Sequence, residues 1–199
     1  MNAEALTRDR ILDTAEDVLR RFGPAKTTVV DVARALGVSH GTIYRHFPSK
    51  AALRDAVAQR WLARVAHPLG AIAAEHGPAT DRLYRWLTGL AAAKRHKVLD
   101  DPELFATYHG LAEQARGVVD AHVEELTGQI ARIIDDGISE GAFVVSDVTA
   151  TARAVFDATL RFHHPAHSRE WNDPDIDDAF EAVWGMLLAA LTGRQAGAA

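Results

Sequence analysis

The sequence contains no cysteine among its 199 residues. This absence excludes disulfide bonds and thiolate metal ligands, and it agrees with a reducing compartment. No apolar run approaches the roughly 20 residues that a membrane-spanning helix needs, and the N-terminal segment MNAEALTRDR is too polar for a signal peptide. We therefore expect a cytoplasmic protein with no membrane partner.

Sequence signals of enzymes are also missing. The chain has no glycine-rich phosphate loop, no GxSxG nucleophile elbow and no Glu-x-x-His pair that could be placed on facing helices. Strand signals are few, and the apolar residues recur at helical spacing through most of the chain. We expect an all-α protein that is not an enzyme and needs no cofactor.

Charge is divided unevenly along the chain, although the formal total is only −5. Residues 1–64 contain 11 Lys and Arg against 7 Asp and Glu, a net of +4. Residues 65–199 contain 11 against 20, a net of −9. A basic first part fits contact with phosphates, whereas the acidic remainder would be held away from a nucleic acid.

The segment TVVDVARALGVSHGTIYRHFPSK predicts two short helices joined by a tight turn, followed by the start of a third. Thr28 with an aspartate three residues later forms a capping box, and Gly37 is typical of a left-handed helix end. Ser39 is a favourable N-cap for the next helix, which Pro48 ends. Two helices separated by so short a turn indicate a helix-turn-helix.

The middle helix, Ser39 to Phe47, has the composition of a surface that binds DNA. Ile43 and Phe47 are four residues apart and would face the core, while the remaining positions carry no acidic residue. Gly41 is costly inside a helix unless a ligand must approach the backbone closely. The alternative is an ordinary surface helix between two turns.

The candidate DNA-binding residues are Thr28, Ser39, His40, Gly41, Thr42, Tyr44, Arg45, His46 and Lys50. The predicted base-edge contacts are His40, Thr42 and Arg45, with Gly41 allowing the approach. The predicted phosphate contacts are Lys50, Thr28, Tyr44 and His46, of which the first two stand at helix starts.

These residues resemble the TetR family of bacterial transcriptional regulators. The matching positions are Thr27, Thr28, Val29, Asp31, Val32, Ala33, Gly37, Val38, Ser39, Gly41, Thr42, Tyr44, His46, Phe47, Ser49, Lys50 and Leu53. Arg45 departs from the aromatic or histidine common in that family, and Ala51 and Ala52 stand where glutamate is frequent. The resemblance implies an N-terminal three-helix DNA-binding domain, a helical C-terminal domain with an effector pocket, and a dimer built on the last two helices.

We expect a DNA-binding domain over residues 1–50 and a ligand-binding and dimerisation domain over residues 51–199. A linking helix over residues 49–66 would connect them and would be limited by Pro68.

Two apolar helices near the C-terminus predict a homodimer. The first repeats apolar residues at 4-3-4-3 spacing, and the second is apolar over more surface than one neighbouring helix would cover. The candidate interface residues are Val148, Ala152, Val155, Thr159, Val183, Trp184, Leu187 and Leu188. The alternative is that both helices only complete the core of one chain.

Candidates for the implied effector pocket are Trp61, Trp86, Phe105, Tyr108, His109, Phe156 and Phe162. Each of these side chains could equally be a core residue. A separate group, His163, His164 and His167, could ligate a metal, but the alternative is a helix C-terminus at which histidine is favoured. We expect no metal site.

Together these features predict a homodimeric transcriptional regulator that binds a palindromic operator in double-stranded DNA. We expect a repressor released by a small-molecule effector. The alternative is a helical protein that binds a small molecule or a metal and has no working DNA-binding role.

Overall fold

The computed structural model describes residues 6–23, 26–100 and 102–193. Within these ranges the chain folds into α-helices and contains no strand, which confirms the predicted all-α class. The helices are α1 (Arg8–Phe22), α2 (Val29–Leu36), α3 (His40–His46), α4 (Lys50–Ala74), α5 (Ala79–Asp100), α6 (Pro102–Gln114), α7 (Arg116–Ser139), α8 (Val148–Ala158), α9 (Leu160–His163) and α10 (Ile176–Leu191). Two 3-10 turns, Pro165–His167 and Glu170–Asn172, separate α9 from α10. None of the described helices is both long and apolar enough to cross a bilayer.

The described residues fall into two compact units. The first draws on Met1–Ala63 and Asp101–Ala121, and the second on Arg64–Asp100 and His122–Ala199. The division between Ala63 and Arg64 lies inside α4, so this one helix contributes to both units. The predicted boundary at residue 50 separates a DNA-binding function from ligand binding and dimerisation, whereas the two units are defined by compactness. The functional boundary remains a prediction.

The predicted end of the linking helix is wrong, because α4 continues through Pro68 to Ala74. A proline inside a helix removes one backbone hydrogen bond and costs about 3 kcal/mol. Burial on both sides of the proline offsets that cost, since the second unit's core includes Val65, Ala66, Leu69 and Ala73. Packing therefore overrides the local stop signal.

The core of the second unit is organised around Trp86 of α5, whose side chain is fully buried. Its indole Nε1 donates to Oε1 of Gln129 at 2.9 Å, and Nε2 of Gln129 donates to the carbonyl of Ala66 at 3.1 Å. These two hydrogen bonds link α5 to α7 and α7 to α4. They also give the buried indole N–H and the Gln129 amide the partners that buried polar groups need.

Arg82 is a second buried link in this unit. Its guanidinium lies 2.8 Å from a carboxylate oxygen of Asp136 and 3.4 Å from one of Glu140, both near the C-terminal end of α7. It also donates to backbone carbonyls in and after the last turn of α4, those of Ala73, Glu75 and Gly77. Glu140 in addition accepts from the backbone N–H of Ala79 at 3.0 Å, at the start of α5.

Gly137 of α7 provides the space for a buried aromatic ring. A Cβ at this position would lie 2.9 Å or closer to three ring atoms of Phe143. We expect Gly137→Ala to lower the free energy of unfolding by about 1–3 kcal/mol, because the ring must move. Urea denaturation measures the change. The matched control is Gly128→Ala on the same helix, where a Cβ meets nothing within 4 Å; equal stability of the two variants would contradict the packing argument.

Candidate nucleic-acid interface

The start of α2 has the predicted capping box. The backbone N–H of Asp31 donates to Oγ1 of Thr28 at 3.2 Å, and the N–H of Thr28 donates to Oδ2 of Asp31 at 3.1 Å. The Thr28 hydroxyl donates to the same carboxylate oxygen at 2.6 Å. Hydrogen bonds from the side chain and backbone of Thr28 lower the pKa of Asp31 below its usual value. The reciprocal bonds fix where the helix begins.

The turn between α2 and α3 is built by Gly37 and Ser39. Gly37 has φ 67° and ψ 29°, the left-handed conformation that glycine adopts without steric cost. The N–H of Val38 reaches back to the carbonyl of Ala33 at 3.0 Å, which closes α2. Ser39 then caps α3 by accepting from the N–H of Thr42 at 3.2 Å. Both cap predictions are confirmed.

The inner face of α3 is anchored in the first unit. Ile43 and Phe47 are almost fully buried, as the four-residue spacing predicted. The guanidinium carbon of Arg8 lies 4.2 Å from the centre of the Phe47 ring, and its Nη1 donates to the carbonyl of His46 at 2.8 Å. A cation over an aromatic face is attractive, so Arg8 of α1 holds the C-terminal end of α3. Nothing in the sequence pattern indicated this role for Arg8.

The outer face of α3 is open to solvent. The predicted DNA-binding residues with exposed side chains or backbone are Thr28, Ser39, His40, Gly41, Tyr44, Arg45 and Lys50, while Thr42 and His46 are half-buried. The rings of His40 and Tyr44 meet edge to face, with their centroids 6.3 Å apart. The Thr42 hydroxyl lies 2.9 Å from Oγ of Ser39, so part of its hydrogen-bonding capacity is used in the cap.

Gly41 has room for a side chain within its own protein. A Cβ there would meet only Oγ of Ser39, at 3.7 Å, which is an ordinary van der Waals contact. The backbone conformation does not require glycine, because the φ of Gly41 is not in the left-handed region. Internal packing does not require it either, because a Cβ would fit. An external requirement, such as close approach of a ligand to the backbone, is the remaining physical reason for glycine at this position.

The start of α4 presents an exposed lysine beside a capped helix end. Oγ of Ser49 accepts from the N–H of Ala52 at 3.0 Å, so the serine caps the helix as predicted. Lys50 follows directly and is exposed. A capped N-terminus with an adjacent cation is suited to bind a phosphate.

The predicted effector-pocket residues are divided between the two units. Trp61, Phe105, Tyr108 and His109 belong to the first unit, where the rings of Trp61 and Tyr108 stack with centroids 5.0 Å apart. His109 is half-buried and lies beside Phe105, with ring centroids 6.3 Å apart. The other three belong to the core of the second unit: Trp86, Phe156 and Phe162. Ligand contact by any of them remains a prediction.

The predicted dimer residues also fall into two groups. Ala152, Val155 and Thr159 are buried against their own chain. The half-buried members are Val148, Val183, Trp184, Leu187 and Leu188, which pack at the edge of the core. The Thr159 hydroxyl donates to the carbonyls of Val155 and Phe156 at 3.0 Å each, where α8 gives way to α9. The helix that carries the 4-3-4-3 repeat is interrupted at Thr159, between α8 and α9.

The three histidines near the end of α9 have different surroundings. His163 is buried, with its ring centroid 4.7 Å from that of Phe156. His164 is exposed, and its Nδ1 accepts from the N–H of Ala166 at 3.3 Å. His167 is half-buried, with Nδ1 2.7 Å from a carboxylate oxygen of Glu170. Over residues 6–23, 26–100 and 102–193, no group of three or more His, Asp or Glu is placed to hold a metal ion.

Two capped helices joined at a left-handed glycine, with the second helix exposed, define a helix-turn-helix protein. A model of the tetR family of bacterial regulatory proteins matches residues 11–57. A second model, described as the C-terminal domain of tetracyclin repressor-like proteins, matches residues 79–184, more than half of the chain. The chain therefore belongs to the TetR family of bacterial regulatory proteins.

A relative with a similar sequence agrees with this assignment. An uncharacterized HTH-type transcriptional regulator of Mycobacterium tuberculosis is 34% identical over 103 residues, which are 52% of this chain and 49% of the relative. The chain thus matches about half the length of that relative.

Solved structures share the fold across nearly the whole chain. SmeT, the repressor of the Stenotrophomonas maltophilia multidrug efflux pump SmeDEF, superposes with a TM-score of 0.68 at 19% identity, covering 97% of this chain and 93% of SmeT. RolR in complex with its ligand resorcinol gives a TM-score of 0.61 at 17% identity, covering 92% of this chain and 86% of RolR. At such identities the likeness establishes the fold.

Proposed function

We propose that this protein is a homodimeric transcriptional repressor that binds a palindromic operator and is released by a small-molecule effector. The observation that carries the proposal is the exposed, acid-free outer face of α3, held on a buried anchor of Ile43 and Phe47. An exposed helix of this kind, in the basic part of the chain, is suited to enter a major groove. The proposal includes no catalytic role and places the protein in the cytoplasm.

We propose that α10 supplies the main dimer surface. Its outer side exposes Met186, whose exposed fraction is 70%. It also exposes three small residues, Ala182, Gly185 and Ala190. Small residues let two helices approach closely, and a second copy would cover the methionine. The half-buried Val183, Trp184, Leu187 and Leu188 would lie at the margin of this interface, whereas Ala152, Val155 and Thr159 would support it from inside.

The proposed switch is a shift between two conformational populations. An effector bound in the second unit would favour a separation of the two α3 helices that does not fit the operator. Because α4 contributes to both units, it is the proposed mechanical link. The solved complex of RolR with resorcinol shows a small molecule bound to a protein of this fold, which supports an effector of that size. Coupling of about 1–3 kcal/mol would be reciprocal between operator and effector.

The test is a gel shift and footprint on the DNA upstream of the protein's own gene, at several salt concentrations. We expect a protected region with dyad symmetry and half-sites about 34–36 Å apart, or somewhat farther if two dimers bind, and a dimer in sedimentation. A monomer at micromolar concentration, or binding equally weak to every sequence, would instead support a helical ligand-binding protein without a DNA-binding role.

Two single changes should separate phosphate contact from base recognition. Lys50→Ala is expected to weaken specific and random DNA about equally and to lower the salt slope by about one. Arg45→Ala is expected to weaken the operator by about 1–3 kcal/mol while random DNA changes much less, because a base-edge contact is lost. Fluorescence anisotropy titrations at four salt concentrations measure both effects. If Arg45→Ala weakened the two DNAs equally, Arg45 would be a phosphate contact.

A further inference from the structure

Besides Arg82, the described interior of the second unit contains three buried basic side chains, which come from three different helices. Lys94 of α5 and His122 of α7 are each 7% exposed, and His163 of α9 is 4% exposed. Lysine and histidine are seldom buried to this degree without a specific interaction, because transfer of a charged or polar group from water is unfavourable. The three groups place several buried basic nitrogen atoms in one core.

The ring of His122 has an unfilled hydrogen-bonding requirement. Neither Nδ1 nor Nε2 of its ring has a hydrogen-bond partner in the described part of the chain, although both atoms are shielded from solvent. Nearly every buried polar group in a folded protein has a partner, and an exception indicates an unfilled site or a functional role. The ring therefore has hydrogen-bonding capacity that a bound molecule could use.

His163 is held in a defined orientation. Its Nε2 lies 3.3 Å from Oγ1 of Thr159, and the hydroxyl proton of Thr159 is directed to the carbonyls of Val155 and Phe156. Which of the two atoms donates to the other depends on the tautomer of the histidine. The ring also lies against Phe156, which gives the site an apolar wall.

Lys94 acts electrostatically on both buried histidines. Burial, and then the nearby Lys97, lower the pKa of Lys94 to about 8. Burial, followed by the charge of Lys94, lowers the pKa of His122 to about 3 and that of His163 to about 4. Other charges act more weakly on His163, from His164 and Asp157. A negative charge inserted among the three would raise these pKa values, against the direction in which burial moves them.

We propose that the effector is an apolar monocarboxylic acid and that Lys94, His122 and His163 form the binding site for its carboxylate. The inference deepens the proposed function, on which it rests, by naming the chemical class of that effector. Lys94 would supply the counter-charge, and His122 would use its unpartnered ring for a hydrogen bond to a carboxylate oxygen. His163 and Phe156 would border the carboxylate and the adjoining apolar part of the ligand.

The test is calorimetric titration of the full chain at pH 6.5 with benzoate and octanoate, compared with the neutral analogues benzyl alcohol and octanol. We expect at least one acid to bind more than about tenfold tighter than its alcohol, since only the acid supplies a negative charge. Lys94→Met and His122→Phe should each weaken that acid by about tenfold or more. The matched control is Lys26→Met, the same chemical change at an exposed position of the first unit.

Proton linkage gives an independent readout. Because a bound carboxylate raises the pKa of each basic group, binding should take up protons, and affinity should fall as pH rises through about 8, where Lys94 loses its charge. Titrations in two buffers of different ionisation enthalpy measure the uptake. Thermal melts check that each variant is folded. If only one of Lys94→Met and His122→Phe folds, that variant alone is sufficient for the binding test.

Two outcomes would overturn the inference: neither acid binds better than its alcohol, or Lys94→Met and His122→Phe bind the acid as well as Lys26→Met does. Operator affinity without ligand is measured separately. If the operator is bound while the acids fail, only the carboxylate site is wrong. If the acids bind while no DNA is recognised, the proposed repressor function is wrong.

Discussion

Replacing Arg82 with methionine is expected to lower the free energy of unfolding by about 3 kcal/mol, and the melting temperature by about 8 °C. The side chain is only 3% exposed and donates to two carboxylates and three backbone carbonyls. Methionine fills similar space but leaves these acceptors without their donor. Water can reach the partly exposed carboxylates, but it cannot easily replace the buried bond to the Ala73 carbonyl. Chemical denaturation followed by circular dichroism measures the loss.

The matched control is Arg85→Met, one helical turn away on α5. Arg85 pairs with Glu75 at 2.6 Å, but its side chain is 49% exposed. An exposed ion pair contributes about 0–1 kcal/mol, so this variant should melt close to the wild type. If the two variants lost the same stability, the buried network around Arg82 would not hold α4, α5 and α7 together.

Replacing Gly41 with alanine is expected to separate folding from DNA binding. The methyl group fits the free protein, since its nearest neighbour, Oγ of Ser39, would be 3.7 Å away. Alanine also favours the helical conformation by up to about 1 kcal/mol, so the melting temperature should stay the same or rise. Operator affinity should nevertheless fall by about tenfold or more, because the methyl group would keep the backbone of α3 away from the DNA.

Anisotropy titration with operator DNA, together with a thermal melt, tests this pair of effects. Gly128→Ala on α7 serves as the control, since it makes the same exchange at a helical site open to solvent. That variant should keep full operator affinity. Unchanged affinity in Gly41→Ala would show that the operator does not approach this part of α3, and α3 would then need a different orientation in the groove.

The helix-turn-helix was predictable because its signals act over three or four residues. The capping box of Thr28 and Asp31, the left-handed Gly37 and the Ser39 cap each depend on bonds between near neighbours in sequence. The burial of Ile43 and Phe47 also follows from spacing on one short helix. The roles of individual residues in DNA binding remain predictions, because an operator is needed to test them.

Farther along the chain, local signals were less informative. Pro68 predicted a helix end, but packing of α4 in the second unit carries the helix through it. Heptad spacing predicted a bundle seam that includes Ala152, Val155 and Thr159, either between two copies or within one chain, and these residues are buried in their own chain. Spacing shows that residues share a face of a helix, but it does not show which partner covers that face.

The sequence by itself determined the helical class, the family and the position of the helix-turn-helix, since each follows from short-range patterns. Only the tertiary structure revealed the network of Arg82 and the burial of Lys94, His122 and His163 within the second unit. These groups lie tens of residues apart, and no periodicity links them. Which buried polar residues meet depends on how separate helices pack, and that depends on the complete set of contacts between them.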